Sequence, residues 1–231
     1  MVFQAALLAG AAGAAMLLPK PESSPRPAVT DRAPPSGVVT LLRIPEFRRV
    51  MLVASLILGS RAMHDTFAVI RWSAAGITPA IASVLWSESV VAEVLVFFLF
   101  GPPLLARLQP AGVLIVQAAA GVVRWATMAS SASVLALAVV HPLHGLTFAR
   151  LHLACMRLIP AIVPQRLAAT AQALYAFGAD ASTAFLILVS GRLYGALNER
   201  GFLVMALLCA AVPPLAWRLY AVDARVSSGQ R

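Results

Sequence analysis

Residues 50–70 read VMLVASLILGSRAMHDTFAVI, an apolar run of 21 residues broken only in its second half by Arg61, His64 and Asp65. As an α-helix such a run extends about 30 Å, the thickness of a bilayer's hydrocarbon core. Arg48 and Arg49 stand just before it, and the three ionisable residues are spaced i, i+3, i+4, hence on one helical face. A greasy segment of bilayer length, with basic residues at its start and a polar face inside it, predicts a helix threaded through lipid.

The rest of the chain has the same character. Of 231 residues 60% are hydrophobic and only 12% charged, with mean hydropathy +0.85. A soluble domain carries roughly 25% charged residues, so about half the expected solvating surface is missing. Six helices of about 20 residues would use most of the length, leaving short loops and no second soluble domain. The net charge of +9 and pI near 11.2 suggest a nucleic-acid partner. Lys and Arg lie mainly between apolar runs, however, where they set membrane topology, and not on one polar face; no nucleic-acid partner is expected. Cys155 and Cys209 fall inside apolar stretches far apart in sequence and read as small buried hydrophobes, not a disulfide or metal pair.

The predicted fold class is all-α, a polytopic transmembrane helix bundle. A first helix covers 1–18, a Pro-rich basic cytoplasmic linker 19–43, a six-helix bundle 44–220 and a cytoplasmic tail 221–231. A cleaved signal peptide is the competing reading for Val2–Leu18. Signal peptides carry positive charge before the apolar core, whereas Lys20, Arg26 and Arg32 follow this one, which favours a helix running outside to inside. Six prolines between Pro19 and Pro35 prevent a continuous helix there. The bundle's helices are expected at 50–70, 79–100, 111–129, 133–156, 167–190 and 202–220. Pro79 suits a first helical turn. Alternating these spans places Arg107, Arg157, Arg166, Arg218, Arg225 and Arg231 on the linker's side and only Arg71, Arg192 and Arg200 opposite, as the positive-inside rule requires.

Ionisable residues at membrane depth cost about 2.5–3.5 kcal/mol each on insertion scales and face a bundle interior or an aqueous path, so they are the places to look for chemistry. His64 and Asp65 are the first candidates: Arg61 and Asp65 can neutralise one another and leave His64 free to titrate, or form a purely structural pair. Glu88 and Glu93 lie about 140° apart on their helix, so they cannot share one narrow face, and either suits reversible protonation. Arg124 requires an anionic or carbonyl partner if buried, with Glu88 or Glu93 as the available carboxylates; otherwise it snorkels to the headgroups beside Trp125. His141, His144, Phe148 and His152 fall within an arc of about 80°, a polar-aromatic stripe on a helix that Pro142 and Gly145 loosen. Their spacing matches no metal motif. Asp180 shares a face with Thr183, near the packing residues Gly178 and Ser182. Neither a metal nor a cofactor is called for.

Several segments together resemble the major facilitator superfamily, in particular its phenylpropionate-permease-like branch, related to nucleoside–proton symporters. They are Leu85-Trp86-Ser87-Glu88 with Val91-Ala92-Glu93-Val94-Leu95, then Val123-Arg124-Trp125, then His144-Gly145-Leu146-Thr147-Phe148-Ala149 with His152 and Met156-Arg157. Val163 to Tyr175 and Ser190-Gly191-Arg192-Leu193-Tyr194-Gly195 complete the likeness, which runs from about Ile44 to Tyr220. In the loop Gly101–Pro110, where the superfamily's signature loop repeats, only Gly101 and Arg107 fit.

The resemblance implies an alternating-access permease of twelve helices, of which this chain supplies the sixth through twelfth. It implies transport of a small solute, of aromatic-acid or nucleoside-like type, with proton coupling, in a bacterial inner membrane. The expected partners are the lipid bilayer, the solute, protons, and a second six-helix half or a second copy, since the cavity of this fold lies between two halves. A half-size chain is expected from a truncated gene, a misplaced start codon or a half that pairs with another chain. The alternative is a non-transporting membrane interaction or assembly factor on the same half-fold. An intramembrane enzyme is the weakest reading, because no nucleophile–base pair, phosphate-binding motif or metal signature accompanies the histidines.

Overall fold

The computed structural model describes residues 36–96, 101–144 and 149–220, and among them every regular element is helical. The expected first span 1–18, the proline-rich part of the linker and the tail 221–231 lie outside the described residues. The linker's last eight residues form a helix, α1, Ser36–Arg43. The linker's prolines stop at Pro35, so every residue of Ser36–Arg43 has an N–H to donate.

The span expected at 50–70 is longer and jointed: α2, Pro45–Gly59, and α3, Ala62–Ala74. Pro45 occupies the first turn of α2, where a missing N–H is harmless. At the joint the Ser60 hydroxyl donates to the Ile57 carbonyl at 2.7 Å, a back-bond of the kind that bends helices. Arg61 N–H donates to Leu58 O at 3.1 Å in a tight turn, and Asp65 N–H to Arg61 O at 3.0 Å resumes the helix. Gly76, with φ 81°, takes the left-handed conformation just beyond α3. Helix α4, Pro79–Leu95, starts on Pro79, with the Thr78 hydroxyl accepting from Ile81 N–H at 3.4 Å.

The expected loop 101–110 is instead mostly helical. Helix α5 covers Gly101–Ser130 with one interruption, Gln109 at φ 58°, ψ 160°. Gln109 precedes Pro110, whose ring crowds the helical conformation of the residue before it. The expected helix 133–156 is broken into α6, Val134–Val140, and α7, Ala149–Ile162. Pro142 lacks an N–H and its ring clashes with the carbonyl four residues back.

From Gln165 to Trp217 helical structure runs for 53 residues, which as one rod would measure about 80 Å. Asn198, at φ 49° and ψ −131°, divides it. The result is α8, Ala168–Leu197, then α9, Gly201–Ala210, and α10, Val212–Trp217, with α8 and α9 packed as neighbours. Among the described residues, Gln109–Ser130 and Gln165–Trp217 are long and apolar enough to cross a membrane by length and composition.

Helix α5 is the hub of the bundle: α9, α7, α10 and α2 pack on it, while α8 packs on α2 and α3, and α4 on α3 and α6. Two apolar clusters form around it. One contains Phe47, Val50, Leu114, Leu158 and Val212; the other contains Trp72, Trp125, Met128, Phe202 and Met205. Large apolar side chains such as Val84, Leu135, Phe177, Leu188 and Leu207 are exposed on the exterior, which lipid tolerates and water disfavours. Against Cys209 the α5–α9 contact depends on Gly121: a Cβ there would lie 2.6 Å from the Cys209 sulfur and 3.3 Å from its Cβ. A Gly121→Val substitution is expected to destabilise the bundle by about 1–3 kcal/mol through overpacking. Gly191→Ala, with open space around its Cβ, should leave stability unchanged or slightly raised. Thermal unfolding in detergent checks both.

Candidate functional site

Along α5 the buried members of the first cluster end at Ala118 and those of the second begin at Trp125; Arg124 lies at this boundary. Its guanidinium is 1% exposed, so it does not snorkel to a headgroup. Five N–H donors in a fixed plane, with nothing to accept, must be answered from the surrounding helices. The carboxylates anticipated as direct partners do not fill that role. Arg124 Nη1 donates to His144 Nδ1 at 3.0 Å, and Nη2 to His64 Nε2 at 3.4 Å.

These contacts fix the imidazole tautomers by elimination. A guanidinium cannot accept, so His144 Nδ1 and His64 Nε2 are bare acceptors and each ring carries its proton on the other nitrogen. Both remaining N–H groups meet carboxylates: His144 Nε2 lies 3.4 Å from Glu93 Oε2, and His64 Nδ1 lies 3.2 Å from Asp65 Oδ1. The result is a two-armed network, Glu93–His144–Arg124–His64–Asp65, drawn from α4, α5, α3 and the turn after α6. Arg61 Nε stands 3.9 Å from Asp65 Oδ2, so two guanidiniums balance two carboxylates. The centre is sealed while the ends are open, since the Asp65 and Glu93 side chains retain 30% and 26% exposure. His64 is therefore engaged on both ring nitrogens, contrary to the expectation that an Arg61–Asp65 pair leaves it free.

Aromatic side chains wall this centre. Rings of Trp86, Trp125, Trp72 and His141 lie 4.8, 5.7, 6.0 and 5.6 Å from that of His64. The Arg124 guanidinium carbon sits 4.5 Å from the centre of the Trp125 ring, a desolvated cation–π contact. Trp125 Nε1 donates to the Ser60 hydroxyl at 3.0 Å, which joins the site to the α2–α3 joint. Sequence reasoning passed over Ser60 and gave Trp125 a role only in the alternative where Arg124 snorkels to the headgroups; a serine and a tryptophan inside apolar runs are too common to signal a partnership. His141 sits beside the network, its Nδ1 bonded to Leu137 O at 2.9 Å.

The other candidates fall elsewhere. Glu88, half-buried on α4, has no side-chain hydrogen bond or ion pair among the described residues. The histidine stripe does not stay together: His144 bonds Arg124 and His141 stands beside His64, whereas His152 is exposed on α7. There it lines a separate cavity with Tyr175 and Asp180 of α8.

Residues 2–207 match the MFS_1 like family. The chain belongs to that family and is an integral membrane protein of the major facilitator superfamily. It is phenylpropionate-permease-like: over 160 residues it is 35% identical to a probable 3-phenylpropionic acid transporter of Escherichia coli (strain K12). That match covers 69% of this chain and 42% of the relative, so the chain spans about two fifths of the relative's length.

If the arms on Arg124 hold the helices together, a double-mutant cycle of Arg124→Gln with His144→Ala should show a coupling of about 0.5–2 kcal/mol in detergent unfolding. The cycle of Arg124→Gln with Glu88→Gln should be additive.

Proposed function

We propose that this chain forms one side of a permease for small carboxylate-bearing solutes, of the aromatic-acid class, coupled to proton movement in the bacterial inner membrane. The family membership and the relative support the solute class. The observation that carries the coupling is the two-armed network, in which one buried guanidinium links two partly exposed carboxylates through two oriented imidazoles.

Its chemistry suits an exchange of partners. A proton arriving on Glu93 removes the charge to which His144 donates, and His144 is then held chiefly by Arg124. An anionic solute near Arg61 or Asp65 changes the other arm. Because both arms terminate on the same guanidinium, altering one changes the electrostatic demand on the other, with little water present to screen it. Two events at separate carboxylates are thereby linked, as symport requires. A second six-helix bundle, from another chain or a further segment, would cover the open ends of the network and complete a cavity.

The test is uptake of 3-phenylpropionate with simultaneous recording of proton movement in cells or vesicles carrying the full chain with its membrane partners. Glu93→Gln is expected to abolish accumulation driven by an inward proton gradient while exchange down a solute gradient continues. Glu88→Gln is expected to retain coupled accumulation. Proton-driven accumulation that survives Glu93→Gln would remove the network from the coupling step.

A further inference from the structure

Away from the Arg124 network, a half-open cavity of about 160 Å³ lies between α2, α7 and α8. Its walls are mainly apolar. Leu58 and Leu151 supply two of them and Ala179 the floor, while the Tyr175 and His152 rings stand 6.2 Å apart, tilted by 49°. Among the described residues that line it, Asp180 carries the one formal charge and is exposed.

The volume is informative, because an apolar protein cavity of about 150 Å³ takes up benzene. A single six-membered ring therefore fills this space, and a bicyclic ring system does not. Two tilted rings on the wall offer the edge-to-face and offset contacts that aromatic groups prefer. Charge then orients the rest of the solute. A carboxylate placed at the mouth would face Asp180 and be repelled. Leu58, on the inner wall, lies three residues before Arg61, whose N–H closes the tight turn onto the Leu58 carbonyl. Arg61, at the α2–α3 joint and beside Asp65, is thus the guanidinium nearest in sequence to this wall.

We propose that this cavity is the subsite for the aromatic ring of the solute, selecting monocyclic aryl acids whose carboxylate is received by Arg61. The assignment rests on the solute class proposed above and adds where and how the ring is recognised. It also gives His152, Tyr175 and Asp180 a place distinct from the proton network. Binding there sets a solute anion next to the Asp65 arm, so that ring recognition and the network share α2 and α3.

The experiment compares 3-phenylpropionate with propionate, binding measured by ligand-observed NMR on the full chain with its membrane partners in lipid nanodiscs. Ala176 lines the cavity yet is exposed, so Ala176→Leu fills the space without disturbing the core. Ala173→Leu, exposed on the same helix and outside the cavity, controls for effects on folding. The unaltered chain and Ala173→Leu are expected to prefer the aryl acid by about tenfold or more, the scale of burying one ring. Ala176→Leu should erase that preference and leave propionate binding unchanged. An aryl preference that persists in Ala176→Leu overturns the subsite and leaves the transport reading standing. An unaltered chain that binds neither acid overturns the solute class and the subsite together.

Discussion

A guanidinium enclosed by helices in a low-dielectric interior is among the most demanding groups a bundle can hold, because it cannot be neutralised by losing its proton under ordinary conditions. Arg124 imposes that demand at the boundary between the two apolar clusters on α5. The neighbouring helices answer it with two imidazoles that accept from the guanidinium and pass their remaining N–H groups outward to Glu93 and Asp65. Direct carboxylate pairing would have neutralised the charge locally. Inserting imidazoles spreads it over four helical segments and moves the negative ends to where solvent or solute can reach them.

The breaks in the helices serve this arrangement. The joint at Ser60–Arg61 turns α3 relative to α2 so that His64 meets Arg124, and the Ser60 hydroxyl accepts from Trp125 while bonding the Ile57 carbonyl. The turn at His141–Pro142 that ends α6 lies beside the network, and His144 just after it bonds Arg124. Pro142 and Ser60 are thus as much part of the site as the ionisable residues.

Two polar locations result, and α2–α3 runs past both. The Arg124 network holds charge with little exposure, and the cavity at Tyr175 holds apolar volume with an acidic rim. In the proposed mechanism, their separation along one jointed segment would link recognition of a solute to the state of a carboxylate. Displacing Asp65 from Arg61 alters the acceptor available to His64, and His64 is one of two groups answering Arg124.

Length, hydropathy and the placement of arginines were enough to read a membrane-spanning helical bundle, because bilayer thickness and topology act on composition and are insensitive to detail; its major facilitator kind came from the resemblance of particular segments. Apolar spans also showed which ionisable residues were unusual, and Asp65, His64, Glu93, Arg124 and His144 emerged on that ground. Helix interruptions were only partly legible: proline at 142 announces one, whereas Ser60 and the helical stretch 101–108 carry no such mark. Partnerships were not legible at all. Whether Arg124 meets Glu93 directly or through His144 depends on where three separate helices place their side chains to within an ångström, and helical periodicity fixes only a face. Residues 20 to 60 positions apart in sequence meet because packing on α5 brings their helices together, so the network and the ring-sized cavity belong to the tertiary structure alone.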